Sequence, residues 1–221
     1  MAYSLPDAAV TGEIITAAWG NDVRNSIAET AAAKAATSGR IFKATGSNAL
    51  AEVQDQATGW LDASSAILPT GAADDPAERV LVDSAAVGRF WYELRFDAGA
   101  DEYAIWHMPI PPNWDTGNIT FNIHWKAAAT SGNVVWRIHA LGRSDDDIWD
   151  AALVQVATVT STVKGTTEDL DISADLTGTP STGAVNDVLR VQLHRDGNDG
   201  SDTMSGDAKV LGVRVKVNLA H

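Results

Sequence analysis

From Val80 onward apolar and polar residues alternate, and that alternation restricts the fold more than any other feature of the chain. "GNITFNIHWK" sets Ile119, Phe121, Ile123 and Trp125 on one face and Thr120, Asn122, His124 and Lys126 on the other. "VLRVQLH" repeats the pattern with Leu189, Val191 and Leu193, and "LGVRVKVNL" with Leu211, Val213, Val215, Val217 and Leu219. A period of two matches a pleated strand with one buried face. "RFWYELRF", "EYAIWHM", "VVWRIHAL", "LVQVATV" and "DLDIS" are further strand candidates, parted by Gly, Asp, Asn and Pro clusters and with no helical period between them. About eight such strands predict a mainly β protein: an antiparallel jelly-roll-like β-sandwich, with an immunoglobulin-like sandwich as the alternative. Trp125 and Trp136 are the predicted core tryptophans.

The preceding residues follow other rules. Thr16 to Ser38 reads as a helix, with Trp19, Val23, Ile27 and Ala31 at four-residue spacing, Thr16 as N-cap and Gly39 as stop. Its second half is mostly alanine, which favours helix but offers little area to bury, so the helix calls for close neighbours, copies of itself included. "RIFKATGSNALAEV" then predicts a small hairpin around Gly46, Ser47 and Asn48. Gln54 to Glu78 holds no sustained period and reads as a linker or a covering loop. The predicted divisions are 1–53, a helical attachment and oligomerisation segment with a small hairpin; 54–79, a linker; and 80–221, the β-sandwich.

With 16 basic residues against 29 acidic ones, the formal charge of -13 argues against a nucleic-acid partner. The absence of cysteine excludes disulfides, thiolate metal sites and cysteine nucleophiles. No apolar run is long enough to span a bilayer, and "MAYSLPDAAVTGEI" lacks the marks of a secretory signal, so synthesis in a cytoplasm is expected.

The most chemical-looking text is "HRDGNDGSDTMSGDAKV", His194 to Val210. Counted from Asp196, it fails the helix-flanked calcium loop: the sixth position is Ser201, the twelfth is Asp207, and the flanks are strands. Its main reading is a strand-to-strand loop; an irregular Ca2+ site on Asp196, Asp199 and Asp202 is the alternative. Asp145, Asp146 and Asp147 read as a solvated turn, against a cation site or a sugar-hydrolysing pair of carboxylates. His124, His139 and His194 all fall on polar strand faces and read as exposed face histidines, against three imidazoles on one shared face that would suit zinc or a trimer-axis ion. No Gly-x-Ser-x-Gly elbow, phosphate loop, dinucleotide fingerprint or His-Glu-x-x-His occurs, so no enzyme and no cofactor is expected. Trp114 and Trp149, in loop-like text, and Asp145 beside them are the candidates for surface recognition.

"TGEIITAAWGNDVRNSI", followed by "KAATSGRIFKATGSNALAEV", is similar to openings of tail-module and fibre proteins of tailed bacteriophages. "FDAGADEYAIWHMPIPPNWDTGNITFNIHWKAAATSGNVVWRIHAL" and "LRVQLHRDGNDGSDTMSGDAKVLGVRVKV" resemble a jelly-roll-like domain of phage virion proteins. The resemblance implies a homotrimeric virion structural protein, made in the host cytoplasm, whose N-terminal part attaches and whose β domain projects. Trp19, Val23, Arg24 and Ile27 then carry attachment and oligomerisation. The implied partners are other copies and other virion proteins of the tail, the portal-proximal region or the capsid, with a host-surface glycan as a further one. A tail fibre or spike is the expected role, a capsid decoration or head-fibre protein the alternative, and a free carbohydrate-binding β-sandwich module the third reading.

Overall fold

The computed structural model describes residues 41–44, 50–53, 55–70 and 75–220, and the chain divides into two compact units, residues 1–55 with 221 and residues 56–220. The predicted helix, with Trp19, Val23, Arg24 and Ile27, lies outside the described residues. In the first unit β1 (Ile41–Ala44) and β2 (Leu50–Val53) pair antiparallel with Ile41 opposite Val53, which is the expected hairpin.

The second unit is an antiparallel β-sandwich. One sheet contains β3 (Gln56–Asp62), β4 (Glu78–Asp83), β5 (Phe90–Phe96), β7 (Trp114–Ala127), β10 (Asp171–Ile172), β11 (Leu176–Gly178) and β13 (Ala208–Leu219). The other contains β6 (Asp101–Pro109), β8 (Asn133–Arg143), β9 (Gln155–Thr162) and β12 (Val188–Asp196), in the order β6-β12-β8-β9. The alternation sorts side chains as the sequence predicts, except at Leu211, which a bulge in β13 turns away from the face of Val213 and Val215. Ile119, Phe121, Ile123 and Trp125 are fully buried with Val213, Val215, Leu94 and Phe96 on the inner face of the larger sheet. They meet Trp106, Trp136, Ile138, Leu189, Val191 and Leu193 from the smaller one. Trp136 sits edge-on to both Phe96 and Trp125, at 5.3 and 5.8 Å between ring centres, an aromatic contact that joins the sheets.

The expected linker at 54–79 is corrected by the pairing. Gln56–Asp62 is a full strand, lying against Asn218 to Gly212 of β13, and Ile67 and Pro76 bridge to Ile105 and Tyr103 along β6. Ala57, Gly59 and the single large apolar Leu61 make its alternation too weak to read, although the backbone bonds are complete.

β13 organises the larger sheet. One edge pairs with β7 along most of its length. The other pairs first with β5, at Ala208 to Val210, and then with β3, at Gly212 to Asn218. The change of partner falls at Leu211, where a bulge inserts one residue between Val210 and Gly212. Among the described residues no helix is long and apolar enough to cross a membrane.

Candidate functional site

At that change of partner the outer face of the larger sheet opens into a groove of about 840 Å³. Leu211 of the bulge lies in it, with Trp60 and Asp62 of β3 and Phe90, Trp91 and Tyr92 of β5. Lys126 of β7 and the Glu168 and Leu170 loop complete the lining. Trp60 is 47 % exposed, Trp91 36 % and Tyr92 42 %, so aromatic faces stay in contact with water although the core has room for fully buried tryptophans. A gathering of exposed aromatic rings on one surface marks a binding face more often than scattered single residues do.

Both indoles are tied down through their N–H groups. Trp60 Nε1 donates to Asp62 Oδ2 at 3.2 Å, and the other Asp62 oxygen accepts from Ser64 N at 2.8 Å, where it caps the short helix Ala63–Ser65. Trp91 Nε1 donates to Glu93 Oε2 at 3.3 Å. Glu93 is buried and also takes Arg95 Nε and Lys126 Nζ, each at 3.0 Å. Burial pushes its carboxyl up, but the bonds from Lys126, Arg95 and Trp91 outweigh that and hold it below the usual range. The Lys126 ammonium stands 5.2 Å from the Trp91 ring centre and also pairs with Glu168, which in turn pairs with Lys209.

This chemistry suits binding. Asp62 and Glu168, the carboxylates in the groove, are both held below the usual range: burial raises them, and hydrogen bonds from Ser64 and from Lys126 and Lys209 prevail. Neither is a proton donor at neutral pH, and both are fixed by partners. The rings present apolar faces with charged groups at their edges.

The predicted site residues fall elsewhere. Trp114 is corrected: it is buried, with only 2 % of its surface exposed, because the chain after Pro112 turns directly into β7 and Gly183 packs over the indole. Trp149 is exposed, on the outer side of the smaller sheet; Arg190 donates to its carbonyl at 2.7 Å, and His107 meets its ring edge-on at 5.1 Å. Asp145 stands exposed on a turn that Asp147 closes by accepting from Ser144 N. Of the three histidines, His139 and His194 are neighbours at 5.7 Å on the smaller sheet, whereas His124 stands edge-on to Trp60 on the larger one, so the shared face does not exist. Asp196, Asp199 and Asp202 are taken up by protein groups: Asp196 and Asp199 both face Arg137, Asp199 also accepts from Ser201 N, and Asp202 holds Arg195. Among the described residues no three His, Asp or Glu side chains gather as a metal site.

Sequence reasoning missed Trp60 and the aromatic run Phe90, Trp91, Tyr92. The run held a signal, since three successive aromatic residues in one strand must place at least one on the outer face.

No family model matches this sequence, and no curated protein matches it. Among solved structures, a family 35 carbohydrate binding module from Clostridium thermocellum is similar over 72 % of this chain and 97 % of its own, at 14 % identity and a TM-score of 0.45. A xylan-binding domain from Paenibacillus barcinonensis is similar over 77 % of this chain and 99 % of its own, at 12 % identity and a TM-score of 0.40. An isomalto-dextranase from Arthrobacter globiformis, solved with panose, matches 75 % of this chain but only 24 % of its own length, at 15 % identity and a TM-score of 0.44. Such likeness is one of fold, and what the groove takes is argued from its own residues.

Proposed function

We propose that the β-sandwich is a non-catalytic glycan-binding module and that the groove at the β13 bulge is its binding face. The observation that carries this reading is the pair of half-exposed tryptophans, Trp60 and Trp91, each immobilised by a carboxylate on its indole N–H within one groove. A fixed ring gives up little entropy on binding, and its free face suits the C–H side of a sugar. Lys126 and Glu168 of the lining supply donors and acceptors for hydroxyl groups. The test is titration calorimetry with cellohexaose, xylohexaose and maltohexaose, extended to soluble polysaccharides. Saturable binding of at least one, weakened about tenfold or more by Trp91→Ala, is expected. A flat titration across the whole panel removes the reading.

The setting we propose is the virion of a tailed phage, on the sequence resemblances of residues 11–27 and 34–53 and of the β-domain stretches 96–141 and 189–217. There the protein is a homotrimer joined and attached through the segment with Trp19, Val23, Arg24 and Ile27, on the tail as a fibre or spike, with capsid decoration as the alternative mount. Quantitative mass spectrometry of purified particles separates these: a small multiple of three copies supports the tail, a number near that of the capsid lattice the shell, and absence from particles removes the setting.

A further inference from the structure

The seat of Trp60 is unusual in what it requires of its neighbour. β13 carries glycine at position 212, directly after the bulge and opposite both Asp62 and His124. A Cβ there would lie 2.4 Å from Trp60 Cζ2 and 2.6 Å from Cε2, and 2.7 Å from the Leu61 carbonyl oxygen. Real side chains do not approach so closely, so the indole occupies the space a methyl group would fill. His124 meets the ring edge-on at 4.9 Å with an interplanar angle of 84°, and Asp62 holds the N–H. The ring is therefore fixed from below, from one edge and at its nitrogen, with nearly half its surface left open.

We infer that Gly212 sets the height of Trp60 above the sheet and thereby selects the ligand, a neutral pyranose chain whose flat C–H face lies down on the indole. This rests on the glycan-binding reading above and names the ligand class and a positioning residue for it. Gly212 touches no ligand; it acts through Trp60. Any larger residue tilts or lifts the ring, breaks its bond to Asp62 and turns a level floor into a ridge. Glycine is needed here for close approach and not for backbone conformation, since its φ lies outside the left-handed region.

A double-mutant cycle with Gly212→Ala and Trp60→Ala, read by calorimetry with the hexasaccharide that the wild type binds best, tests this. Expected are a roughly tenfold weaker Kd for each single variant and no further loss in the double variant, because the alanine methyl has no ring left to displace. In NMR spectra the Trp60 indole N–H signal should move in Gly212→Ala. Where that variant folds poorly, Trp60→Phe in the same background gives the methyl room and restores folding. Wild-type affinity in Gly212→Ala, or losses that simply add in the double variant, overturn the inference while leaving the binding function intact. A wild type that binds nothing in the panel of hexasaccharides and soluble polysaccharides takes the glycan-binding reading down, and this one with it.

Discussion

The loop after β12 and the groove at the β13 bulge are built from opposite materials. The loop, Gly197 to Asp207, is dense in aspartate and glycine, the composition expected of a metal or acid site. One of its carboxylates, Asp202, instead serves a buried arginine, and another, Asp199, accepts from Ser201 N and faces Arg137. Arg195 is fully buried and spends all five of its N–H groups. Nε and Nη2 go to Asp202 at 3.0 and 2.8 Å, Nη1 to the carbonyls of Phe96 and Gly206, and Nη2 also to that of Met204. The groove draws on residues from strands far apart in the chain, most of them aromatic or apolar. A dense cluster of ionisable residues can thus be wholly occupied in holding a loop, while a surface fit for a ligand is assembled from residues with no local motif.

The sharpest way to break this contrast is Asp202→Ala. It strands the Arg195 charge in the interior and also removes an acceptor for Val135 N at 3.1 Å. Loss of one partner of a buried pair costs about 3–5 kcal/mol, which for a domain of this size lowers Tm by roughly 10 °C. Replacing both partners by apolar residues, Arg195→Met with Asp202→Leu, should recover part of that loss. Below the melting range Asp202→Ala should bind glycan as the wild type does, because neither residue lines the groove. A cost under about 1 kcal/mol by denaturant titration would show that the loop does not depend on the clamp.

Trp91→Ala makes the opposite cut. It removes a half-exposed ring, the partner of the Lys126 ammonium and one of the three donors to Glu93. Arg95 and Lys126 remain to satisfy that carboxylate, so stability should fall by about 1 kcal/mol or less. Glycan affinity should drop about 10- to 100-fold, or roughly 1.4–2.8 kcal/mol. A variant that loses stability but keeps affinity would move Trp91 from the ligand's side of the contrast to the fold's.

How much of this was legible in the sequence follows from the same physics. Strand faces were readable because the pleat imposes its period on neighbouring residues: Phe121 and Trp125 are buried as the alternation requires, while Lys126 points outward. β3 was not, because Ala57 and Gly59 give too little contrast, and its place rests on pairing with β13, from Asp62 opposite Gly212 to Gln56 opposite Asn218. Trp114 looked exposed beside prolines, yet only the tertiary fold reveals Gly183 packed over it. Of the groove only the run Phe90, Trp91, Tyr92 left a signal; its assembly depends on which strands meet at Leu211. Gly212 carried no local mark; its meaning appears only with Trp60 above it.

The smallest of the expected effects concerns a second buried charge near the clamp. Register places Glu102 opposite Arg195, yet the guanidinium is fully taken by Asp202 and the three carbonyls. Glu102 accepts from Asp97 N at 2.6 Å, and burial, reinforced by Asp97, Asp75 and Asp207, raises its pKa to about 7. Between the ordinary carboxyl value of 4.5 and 7 the folded protein holds a proton that the unfolded chain releases, so this group's contribution is full below 4.5 and is lost as pH rises through 7. His139 acts in the other direction. Burial, with His194 and Arg137, lowers it to about 4, so its contribution is full above 6.5 and is lost as pH falls through 4. Over pH 4.5–6.5 the two slopes oppose each other and flatten the stability profile. Glu102→Gln removes one of them. The variant should exceed the wild type by on the order of 1 kcal/mol at pH 8 and lose stability on acidification to pH 5 more steeply than the wild type does. His139→Gln should tilt the profile the other way. Parallel urea-denaturation profiles for wild type and Glu102→Gln from pH 5 to 8 would mean that Glu102 is ionised throughout, and that Arg195 compensates it across the strand after all.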